Sequence, residues 1–512
     1  MAMNQQLIDL NHSLINWSER NPDDIAVVTS KKTTSYYEFA NDVKLTYDWL
    51  NGELNANSNR VGIVIEDEYW CWIIHISAWE LGMEILSLRE ADSASIVSYL
   101  KLDQIICCNS YVSKYDKKNS IVFSAKYIKE LTNKTNGQNI SSGNSKQQCP
   151  DQLQIENSSE PIRQPSRVVL TSGTTGTTRC VLWDKKVTYS RIENLKESLT
   201  LNKQSKVYSL QHIGTTGGFR YPLACWRAGG TVILRGTDNT MRNSLAALQT
   251  ANLVVMAPIN LKMMLNAYNK PWINRQSRHI VLAGGRVSKA QLQAAQDRCA
   301  STISIAYGAT ESGAIATGPA TLINRHPGAA GFIRDGVDVQ IVDKTNSPLP
   351  YGQEGKVRIK SPYMVYEYDK LNSSSVYRGE EFKEGWFYPG DLGILSEDGF
   401  LAILGRETEI ANFGGFKVSL IDIESKLSAI PGVKDLTALK LEFPQTERLG
   451  IVVVSDDKEI AKKLTPVAKQ IVKSRTSVAI VLTSAIERND MGKVPKQALA
   501  QKITEKIAQN RN

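Results

Sequence analysis

The sequence predicts an α/β protein: a large N-terminal domain of layered α/β subdomains plus a β-rich subdomain, followed by a small C-terminal α+β domain. Three observations predict it. From 166 to 310, short apolar runs alternate with helical stretches, the pattern of an α/β layer whose strand-end loops are free to bind a ligand. From 336 to 404 the hydrophobic period changes to two, as in half-buried strands. After Gly405-Arg406 strand and helix patterns alternate again. At 512 residues the chain exceeds what one compact core holds. The expected division is residues 1–405 and 406–512.

The first hundred positions mix apolar runs with helical patterns. Ile105-Ile106-Cys107-Cys108 reads as a strand with two buried thiols. Residues 134–165 are polar, with few large apolar side chains, and read as a long surface loop. The strand-like runs that follow are Val168–Leu170, Val232–Leu234, Leu253–Met256, Ile280–Leu282 and Ile303–Ala306. DVQIVD and KVRIK alternate apolar and charged residues, and Asp398-Gly399 is a hairpin turn between Ile394-Leu395 and Phe400–Ile403. Ser419 and Asp422 start a helix with the stripe Ile423, Leu427 and Ile430, and Pro431-Gly432 stops it. LTALKLE, GIVVVS and VAIVL read as strands. A last helix after Pro495 carries Leu499, Ile503 and Ile507 on one face.

Composition narrows the function classes. With 42% apolar and 22% charged residues the chain reads as a soluble globular protein. The apolar patch from Trp72 to Leu81 is short and carries Glu80, and no uncharged apolar run approaches the roughly 18 residues that span a bilayer. No basic-then-apolar signal pattern opens the sequence, so a cytoplasmic protein without membrane insertion is expected. A net charge of +9 without a Lys/Arg block interleaved with aromatics argues against nucleic acid as a partner. It reads as a general surface bias, or as a basic face toward an acidic carrier protein or a nucleotide-like cosubstrate. Seven cysteines show neither a CxxC pair nor a His cluster at metal-ligand spacing.

TSGTTGTTRC, 171–180, carries six hydroxyl residues and two glycines after the apolar run Val168–Leu170. Read alone, it is either a flexible linker or a cradle for phosphate. Glycines let backbone N–H groups approach phosphate oxygens without Cβ obstruction, and the hydroxyls add donors. The G-x-x-x-x-G-K-[ST] spacing is absent. Four further stretches follow in order: AYGATESG at 306–313, YPGDLG at 388–393, GRETEIANFGGFKVSLIDIE at 405–424, and NDMGKVPKQAL at 489–499.

Together these five stretches resemble the adenylate-forming superfamily of acyl-CoA synthetases, peptide-synthetase adenylation domains and luciferase-like enzymes, over roughly 166–500. The pattern is closest to acyl- or aryl-CoA ligases. The resemblance implies that Thr171, Ser172, Gly173, Thr174, Thr175 and Gly176 bind the phosphates of ATP. Thr178-Arg179-Cys180 stand where the family has Pro-Lys-Gly, so Arg179 keeps the charge without the geometry of lysine. Tyr307 is implied to stack on adenine, Thr310 to touch phosphate, and Glu311 to hold Mg²⁺ as metal ligand. Asp391 resembles the carboxylate that accepts both ribose hydroxyls, with Pro389 in place of the usual Thr. Arg406 resembles the ribose-contacting arginine before the interdomain hinge, whose usual Asp or Lys is here Thr408. Gly414-Gly415 match the loop that the family swings toward its thiol channel. Lys493 resembles the mobile lysine that reaches the carboxylate and the α-phosphate, which makes the C-terminal domain mobile.

The substrate signal is QHIGTTGGFRYPL at 211–223. No acidic residue occurs from 207 through 237, which disfavours an α-amino acid, whose ammonium the family holds with an Asp near here. His212 resembles the histidine that lines the acid pocket of acyl- and aryl-CoA synthetases. Gly217, Gly218 and Phe219 would shape an apolar tunnel, and Ala283, Gly284 and Gly285 another wall. The implied activity is ATP- and Mg²⁺-dependent activation of a carboxylic acid to an acyl-adenylate, then transfer to the thiol of CoA. Two alternatives stay open: delivery to the phosphopantetheine of an acyl carrier protein, and a degenerate nucleotide-binding protein.

Overall fold

Short runs of β-branched and aliphatic residues become the strands, and their pairing sorts the chain into two large sheets and a C-terminal body. The computed structural model describes residues 10–89, 99–116, 119–126, 130, 164–172, 178–235, 241–365, 368, 381–413, 415–443, 446–488 and 494–509. The stretch 134–163 of the expected polar loop lies outside these described residues.

One sheet has six strands in the order Ser120–Val122, Gln104–Cys107, Arg60–Val64, Glu84–Ser87, Ser166–Ser172 and Thr178–Asp184. All pairings are parallel except the last, a hairpin that registers Thr171 with Arg179. Its central strands Arg60–Val64 and Gln104–Cys107 are buried throughout, as parallel strands covered on both faces must be. The helix Glu68–Glu80 packs on this sheet. Asp67 caps it by accepting from the Tyr69 and Trp70 amides, and every residue from Tyr69 to Trp79 is buried. The apolar patch noted at Trp72 is therefore a core helix.

The second sheet has fifteen strands and changes character midway. Ile25–Val28, Thr231–Ile233, Lys206–Ser209, Leu253–Met256, His279–Ala283 and Thr302–Ala309 run parallel. Beyond Thr302–Ala309 every pairing is antiparallel, through Gly313–Pro319, Ala329–Ile333, Phe400–Arg406, Asp391–Leu395 and Glu354–Lys360. The period-two region is thus not a separate sheet but the antiparallel continuation of the parallel one. The expected strand runs and the hairpin at Asp398-Gly399 are present, with Gly399 at φ +77° in the turn.

Between the sheets lies an aromatic-rich core. Trp226, from the helix Thr216–Arg227, is fully buried. It stands edge-on to Trp72 at 5.2 Å, and its indole N–H donates to the Ala26 carbonyl at 2.9 Å. The C-terminal body has a hairpin, Ile410–Phe413 with Phe416–Ser419, and a three-stranded sheet of Asp435–Phe443, Thr446–Val454 and Val478–Thr483. The helix Leu420–Ser428 begins where the sequence places it, with Ser419 accepting from the Asp422 amide at 3.3 Å. The final helix Lys496–Gln509 lays Leu499, Ile503 and Ile507 on the sheet.

Cys71, Cys107, Cys180, Cys225 and Cys299 are buried. Burial pushes the Cys107 thiol up to about 11 and the Cys299 thiol up to about 12. Cys108 departs from the expected buried pair: it follows the strand end and is only half-buried, its sulfur 3.1 Å from Ser110 Oγ. Among the described residues no helix is long and apolar enough to cross a membrane.

Trp226→Ala would open a void between the sheets and leave the Ala26 carbonyl without its donor. The expected cost is about 3–5 kcal/mol, read as a lower urea midpoint at unchanged m-value.

Candidate active site

The parallel and antiparallel halves of the large sheet meet at the hairpin Thr302–Ala309/Gly313–Pro319, which carries AYGATESG. Its register slips between Tyr307 and Gly308, and a Cβ on Gly308 would lie 2.1 Å from the Gly313 carbonyl oxygen. Only glycine allows that approach. The turn is anchored from outside by Arg191 of the helix Lys185–Ser198. Arg191 donates to the Thr310, Glu311 and Tyr363 carbonyls, each at 2.9 Å, and stacks 4.4 Å from the Trp183 ring. The Trp183 indole donates to the Thr310 carbonyl at 3.2 Å. Three donor atoms, two from Arg191 and one from Trp183, thus hold the Thr310 and Glu311 carbonyls of the turn.

Residues far apart in sequence converge on this hairpin. The Tyr307 hydroxyl donates to Asp391 Oδ2 at 2.6 Å. Arg406 Nε stands 3.5 Å from Asp391 Oδ1, and Asp391 and Arg406 face each other in register on adjacent strands. Gly390, at φ +76°, makes the turn that starts the Asp391 strand. Burial, then the Asp391 charge, raise the Tyr307 phenol well above its usual value, so it remains a donor.

A second chain of contacts runs to the Gly-rich loop. Tyr368 donates to Glu311 Oε1 at 3.1 Å, and Arg179 Nη1 lies 3.3 Å from the Tyr368 hydroxyl and 2.6 Å from Glu381 Oε1. Arg179 and Glu311 are both buried. Thr171 is half-buried opposite Arg179. Gly173, Thr174, Thr175, Gly176 and the Ser172 side chain lie outside the described residues, as does Lys493.

The expected acid segment approaches from the other side. His212 Nδ1 accepts from the Gly214 amide at 2.9 Å, which leaves the proton on Nε2. Burial and the nearby Arg89, Arg235 and Arg167 pull His212 down to about 4. Thr215 caps the helix by accepting from the Gly218 amide at 3.0 Å, and Thr216 Oγ1 lies 3.3 Å from Thr310 Oγ1. A Cβ on Gly218 would stand 2.0 Å from the His212 carbonyl oxygen, so the helix start packs backbone on backbone. Phe219 points inward, 3% exposed, and stacks on Trp72 at 5.6 Å. Gly284 and Gly285 are exposed at the end of the strand His279–Ala283, with Gly284 at φ +86°. Sequence reasoning missed Arg191, Tyr368 and Glu381. None carries a motif signal: Arg191 sits on an ordinary amphipathic helix, and Tyr368 and Glu381 flank a stretch without pattern.

A family model described as "AMP-binding enzyme" matches residues 14–368. The chain belongs to this family. This AMP-binding enzyme is 24% identical over 358 residues to the rice (Oryza sativa subsp. japonica) protein "4-coumarate--CoA ligase-like 4". That match covers 67% of this chain and 64% of the relative, just under two-thirds of its length. It is 27% identical over 365 residues to "Fatty acid--[acyl-carrier-protein] ligase MmaC" of Mycobacterium marinum, covering 66% of this chain and 68% of that one. Among solved structures, the "anthranilate CoA ligase AuaEII in complex with anthranoyl-AMP" superposes with a TM-score of 0.81 at 16% identity, over 99% of this AMP-binding enzyme and 100% of that chain. At that identity the likeness speaks for the fold.

The buried His75 and the half-buried His212 give the enzyme a pH signature. Burial lowers His212 to about 4 and His75 to about 3, against the usual 6.5. The unfolded chain therefore binds more protons than the folded one as pH falls below 6.5, and stability falls with it through the folded values. Urea midpoints measured from pH 7 to pH 4 should decrease steadily, and His75→Gln should flatten that slope.

Proposed function

We propose that the protein joins a carboxylic acid to the AMP moiety of ATP, releases pyrophosphate, and passes the acyl group to a thiol. The observation that carries this reading is the convergence of Tyr307, Asp391 and Arg406, from three separate sequence stretches, beside the Glu311 turn. An aromatic ring beside a carboxylate suits a nucleoside: a face for the base and an acceptor group for ribose hydroxyls. Among the described residues no group of three His, Cys, Asp or Glu side chains could hold a metal. One buried carboxylate, Glu311, fits Mg²⁺, which takes few protein ligands and completes its shell with phosphate oxygens and water. Bound there, Mg²⁺ would neutralise phosphate charge.

The residues then divide the work. Asp391 and Arg406 hold the ribose, Tyr307 the base, and Thr310 with the Thr171–Gly176 loop the phosphates. Tyr368 orients the Glu311 carboxylate, and Arg179 supports Tyr368. A carboxylate oxygen of the acid attacks the α-phosphorus, the bond to pyrophosphate breaks, and the mixed anhydride forms. Lys493 offsets the charge that develops on the α-phosphate. In the second half a thiolate attacks the acyl carbon and AMP leaves. His212, neutral at pH 7, lines the acid side with Gly284 and Gly285. The proposed division at 405/406 puts Lys493 on the smaller domain and falls one residue before the end of the strand Phe400–Arg406.

We favour CoA as acceptor, as in the name of the rice relative. The carrier-protein ligase among the relatives and the +9 net charge support a second reading, transfer to the phosphopantetheine of an acyl carrier protein. The test is acid-dependent pyrophosphate release with MgATP over aliphatic, aryl and amino acids, first with hydroxylamine and then with CoA. Thioester on CoA supports the first reading, and hydroxamate without acyl-CoA supports the carrier. Release with no acid would overturn both.

Two variants probe the roles. Lys493→Ala should lower the rate of pyrophosphate release by about 10²–10³ with ATP binding retained. Tyr368→Phe, which deprives Glu311 of its donor, should raise the Mg²⁺ concentration for half-maximal activity by about tenfold. A magnesium titration identical to wild type would remove Tyr368 from the site.

A further inference from the structure

Two of the most deeply buried arginines are satisfied by backbone carbonyls. Arg278 donates to the Ala251, Cys299, Gln249 and Ile273 carbonyls, and Arg191 to those of Thr310, Glu311 and Tyr363. Arg167 is 1% exposed and donates only through Nη2, to the Ile213 carbonyl. Its Nε and Nη1 are buried without a hydrogen-bond partner, and among the described residues no carboxylate pairs with it. The guanidinium lies 3.7 Å from the centre of the Phe219 ring and 5.9 Å from that of Trp183. A ring face offsets part of the desolvation of a cation but accepts no second N–H. A buried charge left without a counterion costs several kcal/mol, so the donors of Arg167 call for an anion.

The position of Arg167 says which anion. It lies on the strand Ser166–Ser172 that leads into the Gly-rich loop, and both Ile213 and Phe219 that touch it belong to the 211–223 segment. That segment meets Thr310 through Thr216. A Cβ on its Gly214 would lie 3.5 Å from Ser87, whose hydroxyl is 2.7 Å from His75 Nε2. The acids of this neighbourhood are already engaged: Asp67 accepts from the Tyr69 and Trp70 amides. Arg89 and Arg235 lie close enough to act on His212, the acidic Glu68 is taken up by Arg235 at 2.8 Å, and no acid occurs from 207 through 237.

We propose that the carboxylic acid activated by this protein carries a second anionic group, a distal carboxylate held by the free donors of Arg167. The inference rests on the acid-activation reading above and names its substrate class. One carboxylate of the diacid goes to the α-phosphate. The other reaches down past His212 to the guanidinium, whose N–H groups reward a charged acceptor far more than an amide or ester of the same size.

The test compares succinate, glutarate, adipate and isophthalate, each against its half-amide, in pyrophosphate release with hydroxylamine as acceptor. Without CoA in the assay, an anionic group on the thiol substrate cannot produce the effect. For at least one pair, the diacid should exceed its half-amide in kcat/KM by about ten- to a hundredfold, the worth of a hydrogen bond to a charged group. In Arg167→Met that ratio should fall toward one, with folding checked by the urea midpoint. Should that variant not fold, the wild-type ratio decides alone. Half-amides or simple monoacids used as well as the diacids overturn the inference while leaving acid activation intact. No release with any acid removes the activation reading, and this inference with it.

Discussion

The guanidinium of Arg191 is the fixed point of this structure. It is buried, and it is satisfied by main-chain oxygens on either side of it, from the Thr310–Glu311 turn and from Tyr363. A buried cation bonded only to carbonyls cannot leave without stranding several polar groups at once, so it fixes their spacing. That turn is also where the large sheet changes from parallel to antiparallel pairing. One side chain therefore sets how the α/β half meets the all-β half, and sets the Tyr307 and Glu311 side chains at the junction.

Charge is arranged unevenly around the junction. On the side of Tyr307 and Glu311, cation and anion alternate: Arg406 with Asp391, and Arg179 with Glu381 and, through Tyr368, with Glu311. On the opposite side, arginines gather around neutral histidines, Glu68 is already engaged by Arg235, and Asp67 by the helix amides it caps. A balanced network tolerates being empty of ligand. An unbalanced one favours whatever anion can reach it.

Much of this was legible in the sequence, for identifiable reasons. Strands such as Leu253–Met256 and the helix opening at Ser419 announce themselves through continuous apolar runs and a capping residue. Tyr307, Glu311, Asp391 and Arg406 were singled out because the short motifs that hold them resemble those of a known family. The continuity of the large sheet was not, since the switch from parallel to antiparallel pairing occurs at a hairpin whose residues do not encode their partners. Nor were Arg191, Tyr368 and Arg167. Their roles come from backbone carbonyls and rings brought near by the fold, and a side chain bonding to a distant carbonyl leaves no periodicity. The paired thiols at Cys107-Cys108 were half legible, because the strand ends one residue before the run does.

The burial of the cysteines has a chemical consequence of its own. An acyl phosphate anhydride is open to attack by any thiolate within reach, and a protein that makes one would risk acylating itself. Cys71, Cys107, Cys180, Cys225 and Cys299 are enclosed, and for Cys107 and Cys299 burial keeps the sulfur protonated far above neutral pH. A protonated, enclosed sulfur is a poor nucleophile. The packing that stabilises the core thus also passivates these five thiols.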